Sequence, residues 1–247
     1  DDDLKYTNPE NAVYNKENVI SLGSSCCMVN NIHENMYSSQ GNICHKQETA
    51  TNFFDWLITD FTFVSFVFQE LVFKDSAFLQ NNNFTFNDVN SKPSELIGGW
   101  SSVYRKLENK NHKMISLHDV KREHTEIPNE FFEKYERRFN RLYHRISDNA
   151  VVHLIHCLDF QWKKPHFPTV TEIDSVFKSC NRINPFCKIN LYILIHPKYS
   201  NEEYNLTIKQ HTFCNNVYLY NLKDKGSKSD WKATHLTFDE FFENFFK

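Results

Sequence analysis

The chain has 247 residues, of which 40% are hydrophobic and 15% aromatic, enough for one large domain with a sizeable core. Its 28 basic and 31 acidic side chains leave a net charge of −3, so no basic excess indicates a nucleic-acid ligand. No apolar run approaches the roughly 20 residues of a membrane span, so we expect a globular domain without nucleic-acid or membrane partners.

The order of the predicted elements indicates an α/β fold. A polar leader over residues 1–17 precedes a single domain over residues 18–247, which carries an Asn-rich insert at about 74–111. Apolar runs predict strands over residues 18–22, 113–117, 151–158, 189–195 and 217–220. Helical spacing of apolar residues predicts helices over residues 26–36, 61–73, 130–147, 171–180 and 238–246. Because the later strands are apolar on both faces, we expect a three-layer sandwich with a mainly parallel sheet of about five strands and helices on both faces.

Glycine and cysteine usage excludes several classes of protein. Only five glycines are present, and no G-x-G or P-loop pattern occurs, which excludes the usual dinucleotide and nucleotide phosphate loops. The seven cysteines contain no C-x-x-C pair, so neither a disulfide framework nor a zinc ribbon is indicated. We therefore expect no cofactor and no metal, and reduced thiols in a cytoplasmic, reducing compartment.

Polar residues follow the predicted strands at the edge where parallel sheets bind ligands. The first strand is followed by Gly23, Ser24, Ser25 and Cys26, and the later strand ends carry His118, Asp119, Asp159 and His196. If these strands are parallel neighbours, a thiol, two imidazoles and two carboxylates share one edge.

Cys26 has the setting of a reactive thiol. It begins the predicted helix over residues 26–36, and the partial positive charge at a helix N-terminus favours the thiolate. The free N–H groups there, that of Cys27 included, could stabilise an oxyanion.

Two other polar pairs indicate no site. His153 and His156 are three residues apart in a strand, so they face opposite sides and cannot share a metal. Arg137 and Arg138 lie on the polar face of the 130–147 helix, which predicts a solvated pair.

Four motifs in order resemble a domain family that occurs in bacteria and large DNA viruses. They are Val19-Ile-Ser-Leu-Gly-Ser-Ser-Cys26, Phe54-Asp55-Trp56, His118-Asp119 and Lys134-Tyr-Glu-Arg-Arg138. The family is of unknown function and is labelled papain-like cysteine peptidase. The resemblance covers roughly residues 18–160 and implies that Cys26 is the nucleophile and His118 its base, with a peptide or amide substrate and, for a viral protein, the host cytoplasm as location.

Two other functions fit the same residues. A nucleophile directly after a first strand is typical of serine esterases of the Gly-Asp-Ser type, which often act on acylated glycans. Ser24 or Ser25 would then attack, with Asp230 and His235 as partners. Alternatively, the chain is a non-catalytic domain of a larger glycan-modifying protein.

Asp55 lies between large apolar residues, where a carboxylate is costly unless it is paired. It either caps the aromatic helix that follows or ties the loop over residues 37–52 to the sheet. In a functional role it would orient His118 or His196, or hold a substrate hydroxyl. Ser24, Ser25, Cys27, Asp55 and His196 are therefore the candidate substrate-binding residues, beside the candidate catalytic residues Cys26, His118, Asp119 and Asp159.

Overall fold

The computed structural model describes residues 18–23, 28, 31–32, 34–35, 51–87, 105–117, 119–121, 123–158, 166–197, 216–226 and 236–246. Within these residues the strands are β1 (Val19–Ser21), β2 (Leu57–Thr59), β3 (Phe84–Asn87), β4 (Lys106–Asn109), β5 (Met114–Ser116), β6 (Val151–Leu158), β7 (Lys188–Ile195) and β8 (Val217–Asn221). The helices are α1 (Phe61–Phe73), α2 (Asn129–Ser147), α3 (Val170–Ile183) and α4 (Phe238–Phe246).

Four parallel strands form sheet A, in the order β1-β6-β7-β8. Its two central strands are buried almost throughout because apolar side chains point to both faces. On β6, Leu154 packs into a larger core cluster with residues of α1, α2 and α3. The next residue, Ile155, packs into a smaller core cluster with the phenylalanines of α4.

A second sheet, sheet B, is antiparallel and has the order β2-β5-β4-β3. Its strands have only three or four residues, and β4 and β5 are joined by a short turn. Along β5, Met114 and Ser116 are buried whereas Ile115 is half-buried, the alternation expected of a sheet with one covered face.

Local sequence signals explain where the helices begin and end. Asp60 caps α1 by accepting the N–H of Phe63 at 2.9 Å, and Lys74 ends the helix in a left-handed conformation. The first turn of α3 has a capping box, in which Thr169 and Glu172 satisfy each other's backbone N–H groups.

The structure confirms the α/β class and the parallel sheet, and it corrects the strand count. Four of the five predicted strands form sheet A, whereas residues 113–117 contain β5 of sheet B. Sheet B also takes β3 and β4 from the Asn-rich insert at 74–111, where the sequence predicts no strand. The predicted leader over residues 1–17 lies outside the described residues.

Gly23 allows the end of β1 to pack against sheet B. It has a φ of +79°, and a Cβ placed there would lie 2.3 Å from Thr59 Oγ1. The same Thr59 hydroxyl donates to the carbonyl of Leu22 at 3.2 Å. The end of β1 therefore packs directly against Thr59 of β2.

We predict that Gly23→Ala destabilises the protein by about 2–5 kcal/mol, because it adds a steric clash to the left-handed strain. Gly226→Ala is the matched control, since Gly226 also has a positive φ (+73°) but nothing within 4 Å of its added Cβ. We expect it to cost about 1–2 kcal/mol. Denaturant unfolding of both variants checks this, and equal losses would contradict the packing of Gly23 on Thr59.

Candidate functional site

The carboxyl edge of sheet A is the first region where the sequence predicts a site. The backbone N–H of Leu22 donates to the carbonyl of Ile155 at 2.9 Å, so β1 continues to this edge. The N–H of His196 donates to the carbonyl of Leu158 at 3.2 Å, which places half-buried His196 at the same edge, as predicted. Several predicted site residues lie outside the described residues, namely Ser24, Ser25, Cys26, Cys27, His118 and Asp159, as do Asp230 and His235.

In the sequence, Cys26 lies between β1 and a group of helical residues that begins at Met28. β1 ends at Ser21, and Met28, Asn31 and Ile32 are helical and buried. Met28 and Ile32 pack in the smaller core cluster with α4. The helix predicted over residues 26–36 is therefore present at the described positions within that range.

Asp119 lies at the end of a strand, but that strand belongs to sheet B. The expectation that His118 and Asp119 follow a strand of the parallel sheet is therefore wrong. Asp119 accepts hydrogen bonds from Ser116 Oγ (2.5 Å) and Tyr135 Oη (2.8 Å), and it forms an ion pair with Lys134. These contacts join the end of β5 to α2.

The three donors keep Asp119 ionised. Burial alone would raise its pKa, but the ammonium of Lys134 and the hydrogen bonds from Lys134, Ser116 and Tyr135 bring the pKa below its usual value. The pKa of Tyr135 is raised far above its usual value by burial and by the charge of Asp119, so Tyr135 remains a neutral donor. The proposed role of Asp119 in orienting His118 stays a prediction.

Asp55 is buried in the turn that leads into β2. Its Oδ2 accepts the N–H of Asn52 at 2.7 Å, and Trp56 closes the turn with a left-handed φ of 67°. The helix cap predicted for Asp55 is wrong, because Asp60 caps α1. The contact with Asn52 instead ties the end of the 37–52 segment to this turn.

Burial raises the pKa of Asp55 to about 6. The N–H of Asn52 opposes this rise, and so do the guanidinium groups of Arg138, Arg145 and Arg141 on α2. Its Oδ1 is buried and has no hydrogen-bond partner.

The buried side of α2 is positively charged where it faces this turn. Arg145 donates to the side chain of Asn52, and Arg141 donates to the carbonyl of Thr51 at 2.5 Å. Arg138 is only 5% exposed, so the expectation that it is solvated is wrong. It lies over the ring of Tyr135, with its guanidinium carbon 5.2 Å from the ring centroid.

Described residues of the four sequence motifs that carry the family resemblance lie close to one another. Gly23 faces the carbonyl oxygen of Phe54, 3.4 Å from the position of an added Cβ. Asp55 is electrostatically coupled to both Arg138 and Tyr135, and Tyr135 binds Asp119. The motifs thus form a continuous region between the end of β1, sheet B and α2.

A further group, which the sequence did not predict, lies near the carboxyl edge of sheet A. His166 Nε2 is 2.9 Å from Glu172 Oε2, and the hydroxyl of Thr62 donates to Glu172 Oε1 at 2.7 Å. The group joins the first turns of α1 and α3. The T-x-x-E spacing of Thr169 and Glu172 was the available signal, because a capping box fixes the position of the glutamate.

His156 and His153 face opposite sides of sheet A, as predicted. His156 packs edge-on against Phe61 of α1 with centroids 5.0 Å apart, whereas His153 contacts Phe246 of α4. Burial, together with the charge of His166, lowers the pKa of His156 to about 3, so it is neutral at physiological pH.

Among the residues that the structure describes, no group of three or more His, Cys, Asp or Glu side chains could hold a metal ion. In the same part of the chain, no helix is long and apolar enough to cross a membrane. No family model, curated protein or solved structure matches the chain.

We predict that the stability of the wild type relative to Asp55→Asn depends on pH. Because the pKa of Asp55 is about 6 in the folded protein, above its value of about 4 in an unfolded chain, ionisation opposes folding. The favourable contribution of Asp55 to the free energy of unfolding is complete below pH 4. It is lost as pH rises through 6, a change of about 3 kcal/mol. In the variant, the side-chain amide oxygen at position 55 can still accept the N–H of Asn52.

Urea unfolding of both proteins from pH 4 to pH 7.5 checks this. We expect Asp55→Asn to gain stability relative to the wild type as pH rises. A difference that stays constant over this range would contradict a raised pKa for Asp55. Asp75→Asn, at an exposed loop position, is the control.

Proposed function

We propose that this chain is a cysteine-dependent hydrolase or acyl transferase that acts on an amide or an ester, with Cys26 as nucleophile. In this mechanism His118 takes the thiol proton, and Asp119 or Asp159 orients His118. The N–H of Cys27 stabilises the oxyanion, while Ser24, Ser25, Asp55 and His196 contribute to substrate binding. The substrate is a peptide or an acylated glycan.

One observation carries the proposal: the sequence places Cys26 between the parallel strand β1, which ends at Ser21, and Met28, which is helical. Gly23, with its left-handed φ, directly precedes this connecting segment. A connection from a parallel strand to a helix is where α/β enzymes expose a nucleophile, with the helix N-terminus available to an anion. A helix start also favours the thiolate.

The contacts between the four motifs support a distant relation to the papain-like family that the sequence resembles. The network of Asp119, Lys134 and Tyr135 fixes the residue next to His118 against α2. The hydrogen bond from Thr59 to the carbonyl of Leu22 holds the end of β1, four residues before Cys26 in numbering, against β2. Nucleophile and base would thus both adjoin fixed parts of the fold.

We also propose that sheet A is the middle layer of a three-layer sandwich in an intracellular protein. The layer arrangement is supported by the two core clusters, one on each face of sheet A. The reducing location is supported by Cys180 and Cys187, two buried cysteines that form no disulfide.

We predict that iodoacetamide at pH 6 labels Cys26 at least about tenfold faster than free cysteine, because the helix N-terminus lowers the pKa of a thiol. Peptide mapping by mass spectrometry measures the rate at each cysteine. Cys180 and Cys187 serve as internal controls, because burial raises the pKa of both thiols, that of Cys187 to about 11. Cys27→Ser is the matched variant and should leave Cys26 labelling unchanged.

Labelling of Cys26 at or below the rate of free cysteine would contradict the cysteine mechanism. Labelling of Ser24 or Ser25 by a fluorophosphonate would then identify the serine esterase, for which the same strand end would supply the nucleophile. Labelling of neither group would favour a non-catalytic domain.

A further inference from the structure

Two large apolar side chains are exposed in the part of the chain that the structure describes. Phe73, the last residue of α1, is 73% exposed, and Phe186, between α3 and β7, is 91% exposed. Lys74, which follows Phe73, places its ammonium 4.1 Å from the ring centroid of Tyr143 on α2. Asn184, two residues before Phe186, donates to carbonyls in the last turns of the same helix. The two phenylalanines therefore lie at one end of the molecule, where α1, α2 and α3 end.

The turn that carries Phe186 is held by hydrogen bonds on both sides. Asn184 Nδ2 donates to the carbonyls of Ile146 and Ser147 at 3.1 and 3.0 Å, and its Oδ1 accepts the N–H of Phe186 at 3.1 Å. The N–H of Cys187 donates to the carbonyl of Asn184 at 3.1 Å. A backbone that is already fixed loses little conformational freedom when a partner buries its side chain, so Phe186 is suited to be an anchor.

The charges that flank the two phenylalanines in the chain have opposite signs. Arg182 and Lys188 are exposed and flank the turn, whereas half-buried Glu70 and exposed Asp75 flank the end of α1. None of these four side chains forms an ion pair with a described residue. The other cation at the end of α1, Lys74, lies over Tyr143. One half of this end thus presents unpaired cations and the other half unpaired carboxylates.

The two carboxylates also repel each other. Burial and the charge of Asp75 raise the pKa of Glu70 above its usual value. Cations brought close from another molecule would relieve this repulsion, which makes the end of α1 a favourable place for a basic surface to dock.

We propose that two copies of this chain associate, about a twofold axis, through the end of the molecule at which the helices end. We call this the helix-end surface, and its residues are Glu70, Phe73, Asp75, Arg182, Phe186 and Lys188. A twofold axis that places Phe186 of one copy against Phe73 of the other does so twice. The same rotation opposes the basic residues of each copy with the carboxylates of the other. The proposal does not depend on the cysteine mechanism.

The balance of charge favours a second copy over other occupants. An anionic membrane or a nucleic acid would require a basic excess, whereas the helix-end surface carries two basic and two acidic side chains. The competing explanation is that the two phenylalanines are ordinary isolated apolar residues of a protein surface. In that case their substitution would change neither the mass of the particle in solution nor its dependence on concentration.

Sedimentation velocity of the full chain measures the monomer–dimer equilibrium. We expect wild type to shift from monomer to dimer between about 1 and 200 µM protein, the range for a contact built on a few anchors. Phe186→Ser should raise the Kd of the dimer at least about tenfold. Because the side chain at this position is exposed, we expect the monomer to keep its fold, which far-UV circular dichroism checks.

Reversal of the charges tests which surfaces meet. Arg182→Glu with Lys188→Glu should raise the Kd at least about tenfold, and so should Glu70→Lys with Asp75→Lys, because each places like charges opposite each other. All four substitutions together should restore the Kd to within about threefold of wild type, since opposite charges meet again. Lys121→Glu with Arg137→Glu is the matched control. It makes the same change of net charge at exposed positions outside the helix-end surface, and should leave the Kd unchanged.

A wild-type chain that stays monomeric over this range would overturn the proposal. A dimer that Phe186→Ser does not weaken, or that the four substitutions together do not restore, would overturn it as well. Monomeric wild type that binds vesicles of phosphatidylcholine and phosphatidylserine, and loses that binding in Phe186→Ser, would overturn it in favour of a membrane surface.

Discussion

The ion pair between Asp119 and Lys134 is the contact on which the placement of α2 depends. α2 buries a stripe of apolar side chains, and Tyr135 within that stripe must bring its hydroxyl into the core. A buried hydroxyl and a largely buried ammonium both require an acceptor, and Asp119 supplies one to each. Because Asp119 follows β5, the contacts that satisfy Tyr135 and Lys134 of α2 also hold the end of β5 in place.

The same helix determines the surroundings of Asp55. Arg138 and Arg145 follow Lys134 on the buried side of α2 and face the turn that contains Asn52 and Asp55. That turn leads into β2, whose last residue, Thr59, contacts Leu22 and Gly23 at the end of β1. The end of β1 is thus linked to α2 through β2 and the turn before it.

Long apolar patterns were predictable from the sequence, and short or long-range features were not. α1, β6 and α4 match their predicted bounds, because each is an apolar run with clear limits such as the Asp60 cap. Sheet B was missed because strands of three or four residues are too short to show a period. Arg138 was misjudged because a charged residue on a polar helix face gives no sign of burial when Asp55 is distant in the sequence.

The site could be predicted only in part for a related reason. His196 was correctly assigned to the carboxyl edge, because β7 is a parallel strand with a recognisable apolar run. His118 and Asp119 were assigned to that edge on the assumption that every apolar run joins one sheet. The bond from Thr62 to Glu172 depends on how α1 and α3 approach each other, which no local pattern encodes.

A double-mutant cycle on Asp119 and Lys134 tests the central claim most directly. Asp119→Asn and Lys134→Met should each cost about 3–5 kcal/mol, because each leaves a buried partner uncompensated. The double variant should lose much less than the sum, giving a coupling of about 2 kcal/mol or more. The half-exposed surface pair Lys106–Glu108, 2.7 Å apart on β4, should show a coupling of less than about 1 kcal/mol. A coupling at Asp119–Lys134 no larger than that of this surface pair would contradict the account.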